Sequence, residues 1–218
     1  MLCMKRYEWS TPLLFNEHVR LELSSLEHIA GLQAAAADGE LWKLHYTYVP
    51  TVEGVEAEIK RRLEQLALVE MMPFTIIQSR NNIDTIVGMT TFLNFEQSSA
   101  YNRVEIGATW YAQSAQRVGL NTMVKYLMLK HAFEEWQTIA VELRTHRLNS
   151  QSRRAIEGLG AQLDAILRAQ RIMPNGNTRD TAVYSITATE WPTIKNHLEF
   201  KIAQHTKMKP PPPMKALI

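Results

Sequence analysis

The sequence predicts an α/β chain built on a mixed, mostly antiparallel sheet flanked by helices. Three observations carry this. Val104–Trp110 alternates with a period of two, and a helical period takes over from Leu120 after a short connection. Ala140–Thr145 follows that helix, alternates again and precedes another helix, so a crossover to a parallel neighbour is the simplest connection. Two pairs of apolar runs, Phe74–Gln78 with Ile86–Phe92 and Ala165–Ile172 with Asp180–Ile186, are each split by a polar turn and read as antiparallel hairpins.

Taken in order, residues 1–16 read as irregular, with Pro12 opposing early structure. Val19–Leu23 alternates as a first strand. Ser24 or Ser25 caps a helix over Leu26–Ala37, ended by Asp38-Gly39. Leu41–Pro50 carries Trp42, His45, Tyr46 and Tyr48. It reads either as a loop packing aromatics on the core or as one wall of a substrate pocket. Thr51 caps a charged helix through Val69. The first hairpin turns through a loose loop at Arg80–Asp84, and residues 94–102 connect to the central unit.

From Leu120, the residues Met123, Val124, Leu127 and His131 share one helical stripe, while Leu129, Phe133 and Trp136 share another. A helix apolar on two sides lies across a sheet. Asn149 caps a helix to Leu159, which Gly160 stops. Pro174–Asn177 is the second hairpin's turn, and Thr189-Glu190-Trp191-Pro192 opens a last helix. The expected organisation is a single domain over 1–204 and a Pro-rich, disordered tail over 205–218, which its four consecutive prolines keep from being helical.

The 218 residues suffice for one good core, and 45% hydrophobic with 21% charged residues is ordinary for a soluble globular protein. A net charge of +2 is too small to argue for nucleic acid or an acidic membrane, and neither is expected as a partner. The lone Cys3 excludes an intrachain disulfide and a cysteine-built metal site. No metal-ligand spacing, bilayer-length apolar run or signal-peptide core is visible, so the expected location is the cytoplasm. G-x-G-x-x-G and G-x-x-x-x-G-K-[ST] are both absent.

The connection Gln116-Arg117-Val118-Gly119-Leu120-Asn121 falls where backbone N–H groups have no intrahelical partner. With the helix dipole behind them, such amides bind anions, and Gly119 admits a ligand close to the main chain. Strand, Gln-x-x-Gly-x-(small), long helix: this order resembles the cofactor-binding segment of the GNAT superfamily of acyl-CoA N-acyltransferases, and the likeness extends over residues 17–198. Asn121 stands where the family usually has Gly or Ala. A Gly-x-Asn-Thr run, here through Thr122, is similar to the branch of ribosomal-protein N-terminal acetyltransferases (RimJ/RimL-like), which also holds enzymes acting on small amines.

The resemblance implies a GNAT-like sheet whose central parallel pair of strands is splayed, with acetyl-CoA in the gap. It implies that Ile106, Gly107, Ala108, Thr109 and Trp110 offer backbone contacts, one of them to the acetyl carbonyl. It implies that Gln116, Arg117, Val118, Gly119, Leu120, Asn121 and Thr122 wrap the pyrophosphate. It places Asn149 near the pantetheine and thiol, and Ser152 and Arg153 near the sulfur or the phosphates. Each has a plainer reading: Gly107 marks a bulge, the Gln116–Asn121 stretch is an ordinary helix start, and Asn149 is only a cap.

Amide formation from a thioester needs a held carbonyl, a base for the amine and an acid or hydrogen bond for the thiolate. Many family members place a tyrosine acid where this chain has Ile156, which leaves Ser152 as the substitute. Glu105 is the best base, directly or through water; its plainer reading is a salt-bridged strand glutamate. His131 reads as a hydrogen-bonded core histidine. Trp42, His45 and Tyr46 are the expected acceptor contacts. The function expected is acetyl-CoA-dependent transfer to a primary amine, on a protein N-terminus or a small molecule, by direct attack in a ternary complex. A homodimer is left open. The alternative is an idle CoA-binding or scaffolding module; a third reading gives the Pro-rich tail a docking role.

Overall fold

The structure, a computed structural model, describes residues 9–44, 46, 48–98, 100–173 and 176–207. His45, Pro174, Asn175 and the 208–218 part of the tail lie outside the described residues.

Eight strands form one sheet: β1 (Leu14–Phe15), β2 (Val19–Leu23), β3 (Met71–Arg80), β4 (Ile83–Gln97), β5 (Asn102–Tyr111), β6 (Ala140–His146), β7 (Gln162–Ile172) and β8 (Thr178–Thr187). Their spatial order is β1-β2-β3-β4-β5-β6-β8-β7. Every pairing is antiparallel except β5 with β6. This is the mixed, mostly antiparallel sheet that the periodicity predicts.

Five helices connect the strands: α1 (Ile29–Ala37), α2 (Val55–Ala67), α3 (Leu120–Glu134), α4 (Ser150–Glu157) and α5 (Trp191–Lys207). A 3-10 turn, Leu26–His28, leads into α1. Thr90 and Thr91 show how the helices divide between the faces. The Thr91 hydroxyl accepts from Arg62 of α2 at 2.7 Å, and Thr90 from Lys125 of α3 at 3.1 Å. Successive strand residues point to opposite faces, so α2 and α3 cover opposite sides.

α3 is buried along most of its length through Leu120, Met123, Val124, Met128, Leu129, Ala132 and Phe133. Each large apolar side chain removed from water there contributes roughly 1.5–3 kcal/mol. Trp136, just beyond α3, packs against Trp9, Phe92, Phe95 and His131 with ring centroids 4.6–6.1 Å apart.

Several local expectations are corrected. Leu14–Phe15 is a short edge strand although residues 1–16 read as irregular. α2 starts at Val55 rather than beside Thr51, whose hydroxyl instead accepts from the Gly54 amide at 3.1 Å. The loop expected as loose is a two-residue turn. Asn81 and Asn82 take φ of 53° and 60°, the paired positive values of a turn that matches strand twist, and they let β3 and β4 extend to meet it. His131 Nε2 has no hydrogen-bond partner among the described residues, and the ring meets Trp136 edge-on at 4.6 Å, so ring contact rather than a hydrogen bond holds that side.

Candidate active site

β5 and β6 pair only at Arg103–Ala140, Val104–Val141 and Glu105–Glu142. Beyond Glu105 the two strands part, and the main chain of Ile106–Tyr111 faces a gap rather than a partner. On its other edge β5 stays on β4, but with a register slip. Thr91 faces Gly107 and Met89 faces Trp110, so three steps of β5 oppose two of β4. The extra residue is Ala108, at φ 46° and exposed.

This bulge corrects the expected alternation. Gly107 and Trp110 face the α2 side, while Thr109 turns to α3, where its hydroxyl meets Thr90 at 2.8 Å. A Cβ at Gly107 would lie 2.8 Å from Glu105 Oε1 and 3.2 Å from Leu93 Cδ2, so a side chain there would displace the Glu105 carboxylate.

The connection from β5 to α3 is shaped for an anion. Arg117 and Gly119 take φ of 63° and 79°, and α3 has no side-chain cap. The Gln116 amide bonds to Gln113 O, and those of Thr122 and Met123 bond to Gly119 O. Between them, the amides of Arg117, Val118, Gly119, Leu120 and Asn121 have no acceptor among the described residues. Five successive free donors at the positive end of a buried helix form a nest for a doubly charged group.

Side chains brace this loop. Gln116 Nε2 donates to Tyr111 O at 3.1 Å, Gln151 of α4 reaches Gln116 Oε1 at 3.2 Å, and Tyr111 donates to Asn121 Oδ1 at 3.2 Å. From the far end of the chain, His205 of α5 lies against Gly119, where a Cβ would meet its ring at 2.7 Å. Nothing in the local sequence connects those two residues.

Across the gap, Asn149 caps α4: its Oδ1 accepts from the Ser152 amide at 3.0 Å. Arg153 is bonded to β8. Its Nε donates to the Tyr184 hydroxyl at 2.7 Å, and Tyr184 donates to Glu157 at 2.8 Å. Tyr184 is therefore the tyrosine that stands against α4, and it comes from β8. Burial and the Glu157 contact raise its pKa, against the lowering by Arg153.

Glu105 is buried where the strands part. Its Oε2 accepts from Asn94 Nδ2 at 2.6 Å and lies 3.5 Å from Arg144 Nε, whose closer partner is Glu142. Burial raises its pKa, partly offset by Arg144 and Asn94. A carboxylate so placed is a better base than a solvated one.

On the opposite face of β5 stands a group the sequence reading passed over. Lys125 of α3 is buried, and its Nζ donates to Thr109 at 2.6 Å and Thr90 at 3.1 Å. Burial pushes its pKa down to about 7. Its position four residues before Leu129, on a buried stripe, was the available signal.

Of the expected acceptor contacts, Trp42 and Tyr46 are half-buried in the segment between α1 and α2, and His45 lies outside the described residues. Tyr48, from the same segment, donates to Met173 Sδ at 2.9 Å, just past the end of β7.

A parallel pair that parts beside a nest of free amides is suited to hold a ligand with an anionic, diphosphate-like group. The chain belongs to the acetyltransferase (GNAT) domain family, which residues 18–162 match. It is similar to a Thermus thermophilus chain assigned as an acetyltransferase, at 29% identity, covering 89% of this chain and 100% of that one with a TM-score of 0.74. A GCN5-related N-acetyltransferase from Brucella melitensis has the same fold at 24% identity, 87% and 84% coverage and a TM-score of 0.73. So does Mycobacterium smegmatis RimJ in complex with CoA-disulfide, at 21% identity, 84% and 88% coverage and a TM-score of 0.69. A search of curated proteins returns no match. Among the described residues no helix is long and apolar enough to cross a membrane.

Proposed function

We propose that the protein is an acetyl-CoA-dependent N-acetyltransferase that acts on a primary amine by direct attack in a ternary complex. The observation that carries this is the run of five free amides, Arg117–Asn121, opening beside the unpaired half of β5. Acetyl-CoA supplies the acyl group as a thioester, and the remaining tasks fall to the chain. The loop amides and Arg117 hold the diphosphate. The β5 main chain past the bulge at Ala108 orients the acetyl carbonyl, and fixed dipoles of that kind need no reorganisation during reaction.

The amine enters from the α2 side, past Trp42 and Tyr46, and meets Glu105. As the new C–N bond forms, Glu105 takes the amine's proton, directly or through water. The C–S bond breaks, and the Ser152 hydroxyl, which has no partner among the described residues, donates a hydrogen bond to the leaving sulfur. RimJ holding CoA within the same fold supports the cofactor assignment.

Calorimetry with acetyl-CoA and thiol release over an amine panel test the reading. Binding with turnover is expected. Binding without thiol release for any amine leaves the idle CoA-binding module instead, and absence of heat at millimolar acetyl-CoA overturns both.

A further inference from the structure

On the face of the sheet that carries Glu105, a buried arginine of β8 makes no ion pair among the described residues. Thr181, Val183 and Ser185 of β8 pair with His146, Arg144 and Glu142 of β6, and Glu142 pairs in turn with Glu105. Counting in twos along β8 places Arg179 on the same face as Glu105. Arg179 is only 8% exposed, and its Nε has no hydrogen-bond partner among the described residues. The neighbouring Asp180 cannot serve it. That carboxylate points to the other face, where Arg147 and Arg168 bind it at 3.3 Å and 2.8 Å.

The residue facing Arg179 across the hairpin is Arg171, a second cation. Like charges directly opposite on paired strands repel, and a buried guanidinium without a carboxylate is costly. Tyr48, from the segment between α1 and α2, lies near Arg179, and its hydroxyl donates to Met173 Sδ at 2.9 Å. Burial first and then Arg171 lower the pKa of Arg179, and Glu105 is near enough to raise it. Arg171 in turn favours the ionised form of Glu105. A structural arginine is ordinarily enclosed by carboxylates or carbonyls. This one is buried opposite a second cation, on the same face of the sheet as the base.

We infer that the acceptor amine carries an oxyanion, a carboxylate or a phosphate, which Arg179 and Arg171 bind while Glu105 receives the amine. The inference rests on the acyl-transfer reading only in placing the amine at Glu105; the anion site stands on the two arginines themselves. Arg179 is then a specificity-determining residue. Its guanidinium offers the planar fork that suits either oxyanion, and a ligand anion would relieve the repulsion from Arg171.

The test uses the full chain saturated with CoA for binding, and acetyl-CoA for turnover. The probes are matched pairs: 4-aminobutanoate, 5-aminopentanoate and 6-aminohexanoate against their carboxamides, O-phosphoethanolamine against ethanolamine, and tetrapeptides with Glu or Gln second. In at least one pair the anionic member is expected to bind at least tenfold tighter by calorimetry, with the same preference in kcat/KM. The winning pair tells carboxylate from phosphate. Arg179→Gln is expected to erase the preference while leaving the neutral member and CoA affinity unchanged, and Arg179→Lys to restore part of it.

Arg171→Gln, at an exposed site, is expected to reduce the preference at least threefold and covers the case in which Arg179→Gln does not fold. Equal binding within every pair, no binding by any anionic probe, or equal loss for both members in Arg179→Gln overturns the inference. A protein that prefers anionic probes yet transfers no acetyl group keeps the anion site and refutes the acyl-transfer reading instead.

Discussion

α3 and α4 both direct their N-termini at the gap between β5 and β6, and they end there differently. α4 is finished by its own sequence. Asn149 accepts from the Ser152 amide, so one of its free donors is already used. α3 begins at Gly119 with no side-chain cap and five amides without acceptors among the described residues. The shorter helix needs its cap for stability. The longer one is buried by apolar contacts along its length and can leave its first turn unsatisfied. A helix end stabilised from elsewhere is one that remains available to a ligand.

The sharpest way to break this comparison is at Gly119. Gly119→Trp, measured by calorimetry and thiol release, is expected to abolish acetyl-CoA binding and turnover with the circular dichroism spectrum retained. Gly119→Ala adds strain of about 1–3 kcal/mol at positive φ and pushes against His205, so a smaller loss of affinity is expected. Persistence of wild-type affinity in both variants would place the cofactor elsewhere.

Next in size is the strand between the helix ends. Glu105→Gln is expected to lower kcat by about 10²–10⁴-fold, the usual contribution of a general base, with acetyl-CoA affinity unchanged. In the wild-type enzyme kcat should rise with pH through a midpoint above the ordinary carboxylate range, because burial raises the Glu105 pKa. The variant should lose that limb. A pH profile unaltered by the substitution assigns Glu105 to structure.

Lys125 yields a stability effect of opposite sign. Its folded pKa of about 7 lies below its ordinary 10.5, so between those values the unfolded chain holds the extra proton, and wild-type stability rises with pH across the window. Below pH 7 the cost of burying the charge is fully present. Lys125→Met should therefore raise the thermal midpoint most below pH 7 and progressively less toward pH 10.5. A difference independent of pH would mean that the ammonium is solvated.

The smallest effect belongs to the capped helix. Asn149→Ala should cost about 1 kcal/mol in chemical denaturation, the usual value of an N-cap, and leave acetyl-CoA affinity within a few-fold. A large loss of affinity at unchanged stability would instead give Asn149 a direct part in binding.

Much of this molecule was legible in the residues because the signals are local. Alternation in Val19–Leu23 and Ala140–Thr145, the change of period at Leu120 and the cap at Asn149 each depend on neighbours in the chain. They determined the order of strands and helices, and with Gln-x-x-Gly they pointed to the loop where the amides are free. The periodicity of β5 misled past Gly107, since an extra residue in a strand is defined only by the strand it pairs with, and β4 supplied the slip at Ala108.

Side-chain partnerships were equally out of reach. Lys125 is held by hydroxyls 16 and 35 residues away, Arg153 turned to Tyr184, and His205 came to rest on Gly119 from the last helix. From the sequence came the elements and the position of the nest, because hydrogen-bonding period and capping are settled within a few residues. Tertiary structure alone decided which charges are buried, which are paired and which, like Arg179, make no ion pair among the described residues. Burial and Coulomb energy depend on distance through space, and the chain's order does not encode that distance.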